Sequence, residues 1–256
     1  MKSIATFLCC LVPLAAVNGQ EAQAPTKKEV PAFMVEFSNL PKEDREKFEI
    51  ALAEAQKLFN QKRVFEAIVK AEEASKIFKD RPEIHNILGA CQVEFRNFDK
   101  AMEHFKEADR LAPNESSIVF NIAELDFVTK NWESAEKNLE KVLTLVSKAS
   151  GQEDLQVARL VEFKLLLCKL KLDKKAEAVS MSKKYDYLDD SPYPYFADAA
   201  IAFSEGREVD AEGEMARAVR IFQNPALLAA WQDTMMEYGY IKGFFGGDVA
   251  EPAAAK

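Results

Sequence analysis

The chain has 256 residues, of which 48% are hydrophobic and 30% charged, and its 42 acidic residues outnumber its 34 Lys and Arg. This composition is typical of a folded chain and excludes a largely disordered one. The formal charge of −8 also argues against a nucleic-acid partner, because phosphate backbones are bound by clustered cationic side chains.

Residues 1–19 have the pattern of a signal peptide. Lys2 precedes an apolar run from Ile4 to Val17, and the small residues ending at Gly19 place a cleavage site before Gln20. An uncleaved anchor is the alternative, but the run is shorter than the about 20 residues of a spanning helix. No long apolar run follows. We therefore expect an exported chain, periplasmic or secreted, without a membrane span in its mature form.

Residues 20–38 are rich in Ala, Pro, Lys and Glu, which is typical of a flexible linker. Within it Phe33, Val35 and Phe37 alternate with other residues. This spacing predicts either a short extended segment that docks on the folded part or an exposed arm. A helix is predicted to begin in residues 39–44, where Asn39 can act as a cap and an early proline precedes acidic residues.

Small and apolar residues then recur every 34 residues. The three series are Ala67, Ala101 and Ala135; Ala71, Phe105 and Leu139; and Ala74, Ala108 and Val142. We call these residues, and their counterparts in later repeats, the ladder positions. A period of this length is typical of repeat architectures built from stacked helix pairs. It predicts three consecutive repeats near residues 48–81, 82–115 and 116–149.

Residues 82–115 carry the clearest copy of the repeat. Two amphipathic segments, His85–Phe95 and Phe98–Leu111, carry Leu88-Gly89 on the first and small and aromatic residues at fixed offsets on the second. Glycine inside a helix costs about 1 kcal/mol relative to alanine, so Gly89 predicts the close approach of another backbone. The pattern resembles a tetratricopeptide repeat (TPR), with His85 and Gln92 replacing two aromatic residues of the family.

Beyond residue 146 the register shifts by nine residues. The next ladder alanine is Ala178, and the added residues are predicted to form a loop at 147–154. Helices at 155–172 and 174–185 would make a degenerate fourth repeat, near residues 159–191. A fifth is predicted near 192–224. The acidic, aromatic linker at 185–192 is either a recognition loop or a place where tyrosines pack on the edge of the array.

A last helix is predicted at residues 225–238, with one apolar face formed by Leu228, Trp231, Met235 and Tyr238. Repeat arrays need such a polar-backed helix to cap their open end. The flexible tail at 239–256 contains Phe244-Phe245, which would either dock on a partner or fold back on the cap.

The TPR resemblance implies an all-α fold, a right-handed superhelical solenoid of antiparallel helix pairs across residues 39–238, with about five repeats and a capping helix. It also implies that the first helices of the repeats line a concave protein-binding groove. The matching positions here are Leu52, Gln56, Phe59, Asn60, Asn86, Ala90, Val93, Glu94, Phe120, Glu124, Phe127 and Val128. Such a groove is apolar and mildly acidic, which favours an apolar helix or strand as ligand. The alternative is that the Phe33 segment or the C-terminal tail fills it.

No catalytic, cofactor or metal site is predicted. His85 and His104 are on different helices without ligand spacing, and His85 is expected to pack in the core. Cys91 and Cys168 are about two repeats apart, too far for a disulfide, so both are expected to be buried and reduced.

The sequence therefore predicts a non-enzymatic exported adaptor or scaffold that binds a protein or peptide segment, within an envelope complex. The alternatives are a structural subunit that self-associates through its termini, and a scaffold for a separate enzyme.

Overall fold

The computed structural model describes residues 31–146 and 152–242. Within these ranges the chain forms twelve α-helices and no β-strand. They are α1 (Ala32–Ser38), α2 (Lys42–Asn60), α3 (Val64–Ile77), α4 (Pro82–Glu94), α5 (Phe98–Leu111), α6 (Ser116–Val128), α7 (Trp132–Val146), α8 (Gln152–Lys171), α9 (Lys175–Ser182), α10 (Tyr193–Ser204), α11 (Glu208–Phe222) and α12 (Pro225–Tyr238). The predicted signal peptide at 1–19, residues 20–30 of the linker and residues 243–256 of the tail lie outside the described part of the chain.

Consecutive helices form pairs, and five of these in the described chain are closed by the same three-residue turn. In each turn the amide of the third residue donates to the carbonyl five residues earlier at 2.8–2.9 Å. This bond closes the C-terminal end of the first helix and requires a left-handed residue in the middle of the turn. The middle residues, with φ between 59° and 74°, are Lys62, Arg96, Lys130, Asp173 and Gly206. Five helix pairs followed by α12 confirm the predicted all-α repeat architecture.

The described chain divides into two compact units, residues 31–125 and residues 126–242. In the N-terminal unit the ladder positions form the contact between helices, as predicted. The buried ladder side chains, none with any exposed surface, are Ala67, Ala71, Ala74, Ala101, Phe105 and Ala108. Small residues at these points let neighbouring helices approach closely, and Phe105 fills the space that remains.

The sequence predicted that another backbone lies close to Gly89, but the group that lies there is the Phe105 side chain. A Cβ atom built on Gly89 would lie 2.5 Å from a ring carbon of Phe105. Real Cβ atoms do not approach other atoms so closely, so any larger residue would have to displace the ring. The glycine on α4 and the phenylalanine on α5 therefore form one large-against-small contact within the second repeat.

The segment around Phe33, predicted to be either an extended docking segment or an exposed arm, is the helix α1. Phe33 is buried, and the Phe37 ring lies 4.9 Å from the Phe48 ring and 5.6 Å from that of Phe78. Phe33 and Phe37 are four residues apart, so they share a helix face as readily as they alternate in a strand. The segment folds as a helix because Phe37 then packs against α2 and the end of α3. Asn39 closes α1 and does not cap α2, which begins after Pro41.

In the C-terminal unit the ladder continues through the predicted register shift. The ladder positions on α7, α9 and α11 are all buried, and they are Ala135, Leu139, Val142, Ala178, Ser182, Ala211, Met215 and Ala218. Helix α8 begins at Gln152, earlier than predicted, while residues 147–151 lie outside the described chain. Helix α9 ends at Ser182 instead of Tyr185. The Ser182 hydroxyl donates to the Val179 carbonyl at 3.1 Å where the helix stops.

Helix α12 packs through the apolar face that the sequence predicts. Leu228, Trp231, Met235 and Tyr238 are all buried. The Asn224 side chain caps the helix by accepting from two backbone amides at 3.1 and 3.2 Å, and Gly239 ends it with φ of 98°. The aromatic residues of α8, α10 and α12 meet around Trp231, whose ring lies 5.4 Å from Phe163 and 5.6 Å from Phe196. No helix of the described residues is long and apolar enough to cross a membrane.

Candidate protein-binding surface

The structure buries most of the residues that the TPR resemblance places in an open groove. The buried members are Phe59, Asn86, Ala90, Val93, Phe120, Glu124 and Phe127. Leu52, Gln56, Glu94 and Val128 are half-buried, and Asn60 is exposed. The four large apolar members of the predicted groove, Phe59, Val93, Phe120 and Phe127, are therefore packed within the chain, and the use of these positions by a partner stays a prediction.

In the N-terminal unit these residues contact each other and their own core. Phe59 and Ala90 belong to one apolar cluster with Ile87 and Cys91, so they join α2 to α4. Glu94 accepts a 2.8 Å hydrogen bond from the Lys62 ammonium. Two further positions, Gln56 and Asn60, are hydrogen-bonded to each other at 3.1 Å, and the Asn121 amide donates to Asn86 at 2.8 Å. The Lys62–Glu94 and Asn121–Asn86 bonds join neighbouring repeats, whereas the Gln56–Asn60 bond lies within α2.

Phe127, in the C-terminal unit, is covered by its own chain. Its ring packs against Trp132 with centroids 5.3 Å apart and against Tyr238 of α12 at 6.4 Å. The Lys164 ammonium lies 4.6 Å from the centre of the same ring. The sequence allowed for a groove filled from within the chain by the Phe33 segment or the tail. The rings that lie on Phe127 belong instead to α7 and to the capping helix.

The linker between α9 and α10 is held to α8 by ion pairs with the half-buried Arg159 and the buried Glu162. The Arg159 guanidinium donates to Asp189 at 2.8 and 3.0 Å and lies 3.4 Å from the centre of the Tyr185 ring. Glu162 accepts from Lys184 at 2.6 Å and from the Tyr185 hydroxyl at 2.9 Å. Burial alone would raise the pKa of Asp189, but its hydrogen bonds, first from Arg159, lower that pKa below the ordinary value. Both ends of the linker are thus fixed to one helix.

The middle of this linker faces solvent. Tyr187 and Leu188 are 76% and 77% exposed, although Tyr185, two residues earlier, packs edge-on against Tyr193 at 5.2 Å. The Asp186 carboxylate accepts from the Leu188 amide at 2.9 Å and stabilises the turn. The sequence left open whether the linker packs or recognises a partner. The linker packs through Tyr185, and Tyr187-Leu188 remain exposed and available to a partner. We call residues 186–190 the display loop.

A second exposed apolar pair, on α3, escaped the sequence analysis. Phe65 and Val69 are 75% and 52% exposed, and the Phe65 ring lies 4.8 Å from that of Phe95. The positions 34 residues later hold Asp99 and Glu103. The repeat spacing could therefore have identified this pair, because it replaces acidic residues at equivalent solvent-facing positions.

Burial favours the neutral form of one thiol and two imidazoles of the N-terminal unit. Burial raises the pKa of the Cys91 thiol to about 12, so the thiol stays protonated, and the free Cys91 and Cys168 are both buried, as expected. Burial also lowers the pKa of His85 and of His104. The two imidazoles, which have no ligand spacing in the sequence, lie side by side with their Nδ1 atoms 3.5 Å apart.

Comparison with known proteins gives evidence about the fold alone. No family model matches the sequence, and no curated protein matches it. Among solved structures, one described as a functional characterization of Pseudomonas aeruginosa pilF has a TM-score of 0.53 and 16% identity, covering 78% of this chain and 99% of that one. A TPR protein of Thermus thermophilus, TTC0263, has a TM-score of 0.47 and 18% identity, covering 74% and 99%. The repeated helix pairs, their identical turns and the likeness to the pilF structure establish a TPR-like fold.

Proposed function

We propose that the chain is a non-enzymatic scaffold, exported from the cytoplasm, that binds a partner protein within an envelope complex. The observation that carries the proposal is the exposure of Tyr187 and Leu188 on a loop whose ends are fixed by ion pairs to α8. Large apolar side chains at the tip of an ordered loop are typical of protein-binding surfaces, and tyrosine is enriched among the residues that dominate binding energy.

Anchoring of the display loop favours binding because the loop is already ordered. Asp189 is held by Arg159, and the Asp190 carbonyl accepts from the Gln156 side chain at 2.6 Å. A preformed loop loses less conformational entropy when it binds, so more of the contact energy appears as affinity.

The charge around the loop indicates the kind of partner. Asp186 and Asp190 are exposed on either side of Tyr187-Leu188. The complementary surface is an apolar pocket with a basic rim, since potentials of opposite sign favour association and exclude other partners.

The binding proposal is tested by a photocrosslinking amino acid at position 187, with position 65 as the matched exposed aromatic control. We expect crosslinks to one protein from 187 and not from 65. Capture of that protein should be lost in Tyr187→Ser/Leu188→Ser and retained in Phe65→Ser, with the thermal midpoint of each variant near that of the wild type. Asp189→Asn, which weakens the anchor but keeps both apolar side chains, should reduce capture.

Two results would overturn this assignment. Equal capture by the loop variant and the wild type would show that the display loop is not the contact surface. Crosslinks from position 187 to a second copy of the chain would instead show self-association through the display loop, and not through the termini as in the predicted alternative.

Export is proposed from residues 1–19 and is tested separately. In cells with a general secretion pathway we expect the mature chain to begin at Gln20 and to stay in the supernatant when membranes are sedimented. N-terminal sequencing of the purified product gives the cleavage point. A product that still begins at Met1 and sediments with membranes would show an uncleaved anchor.

A further inference from the structure

The only two histidines of this chain meet across the second helix pair. His85 on α4 and His104 on α5 have their Nδ1 atoms 3.5 Å apart. Their ring centroids are 5.8 Å apart, which exceeds the nitrogen separation by about one ring diameter, so the two nitrogens point directly at each other. Both side chains are half-buried. The pair therefore has the geometry of a long hydrogen bond that joins the two helices.

The number of protons on the two rings decides whether this hydrogen bond exists. A neutral imidazole has one N–H and one lone pair, so in the neutral pair one Nδ1 donates and the other accepts. A first added proton binds at Nε2 of the donor ring, and the bond becomes a charge-assisted one. A second proton can bind only at the accepting Nδ1. The bond is then lost, and two N–H groups on two cationic rings face each other.

Burial lowers the pKa of both imidazoles, although charged side chains of α5 and of the segment before α4 also act on them. Glu107 and Asp80 favour protonation of the α4 ring, and Arg110 opposes it. Glu103 favours protonation of the α5 ring, and the charge of the partner ring opposes it. Glu107 accepts from Arg110 at 2.7 and 2.8 Å, which lowers the pKa of this carboxyl, so it stays ionised while the imidazoles titrate. A second proton is therefore opposed both by burial and by the first proton.

We propose that the His85–His104 pair is a pH-sensitive switch in the contact between α4 and α5, closed with at most one added proton and opened by the second. In the unfolded chain histidine has a pKa of about 6.5, so below that pH the unfolded state binds more protons than the closed pair. The stability that the pair contributes is then complete above about pH 6.5 and is lost as the pH falls toward the second protonation. Each pH unit raises the unfolding constant by up to about tenfold.

The first test follows the imidazoles of the full chain by long-range ¹⁵N–¹H spectra between about pH 8 and pH 4.5. With two histidines in the chain, the spectrum contains two ring systems. We expect two proton-binding steps whose affinities differ by about tenfold or more. In His85→Phe and in His104→Phe the remaining imidazole should titrate in one step, at a pH above that of the second wild-type step. Glu103→Gln, which removes an exposed acid next to His104, is the control and should keep both steps separate.

Two outcomes of the titration would overturn the switch. The first is that the wild-type steps overlap, or that the remaining imidazole of each single variant titrates at the pH of the second wild-type step. The second is that Glu103→Gln abolishes the separation, because the acid and not the partner ring would then set the two steps.

Urea denaturation tests whether the second proton acts on folding, and it compares the wild type with His85→Phe/His104→Phe, which has no imidazole left. Between about pH 7.5 and pH 5 the unfolding constant of the wild type should rise about tenfold more than that of the double variant. Other groups that titrate in this range are present in both proteins and cancel in the comparison. Equal pH dependence of the two proteins would contradict the proposal and leave the pair as a packing contact between α4 and α5.

Discussion

Gly89→Ala is expected to destabilise the wild-type protein and to stabilise a Phe105→Ala variant. In the wild type the new methyl group meets the Phe105 ring, which its position would approach to 2.5 Å, and overpacking of this kind costs about 1–3 kcal/mol. Phe105→Ala alone removes a fully buried ring and should cost about 3–5 kcal/mol. With the ring absent, only the better helix propensity of alanine remains, which contributes about 1 kcal/mol.

Urea denaturation of the wild type, the two single variants and the double variant measures this change of sign as a coupling free energy. Gly213 provides the matched control, because it lies inside α11 and a Cβ atom there would meet nothing within 4 Å. Gly213→Ala should therefore stabilise the wild type. If Gly89→Ala destabilises both backgrounds equally, the Phe105 ring is not what excludes a side chain at position 89.

Phe127→Glu is expected to lower the thermal midpoint strongly. Loss of a buried Phe costs about 3–5 kcal/mol, and an ionised carboxylate also loses its hydration when it is buried. The Lys164 ammonium, 4.6 Å from the ring, can offset part of the second cost. Differential scanning calorimetry provides the measurement. Ile221→Glu, at a 54% exposed position on α11, is the control and should change stability by about 0.5 kcal/mol or less.

The two descriptions of Phe127 predict opposite results. An open groove residue tolerates glutamate, because its side chain already faces water. A residue packed beneath Trp132 and Tyr238 does not. A midpoint unchanged by Phe127→Glu would contradict the packing described here and would return the concave groove to consideration as the binding surface.

The candidate site was predictable from the sequence only in part. The linker at 185–192 was identified by its acidic and aromatic composition, but which of its tyrosines packs depends on Arg159 and Glu162 of another helix. The groove positions could be transferred from the family pattern, whereas their burial could not. A family position specifies where a side chain leaves its helix, and the residues that cover it come from elsewhere in the chain.

The sequence by itself determined the repeat register and the apolar face of the last helix. Ala67, Ala101 and Ala135 recur at 34-residue spacing because close helix contacts admit only small side chains, and that requirement is visible in each repeat alone. Only the tertiary structure decided that the Phe33 segment is helical, that Gly89 faces a ring and that His85 meets His104. A periodic pattern encodes which face of a segment is apolar, whereas the partner of that face is set by packing between residues distant in sequence.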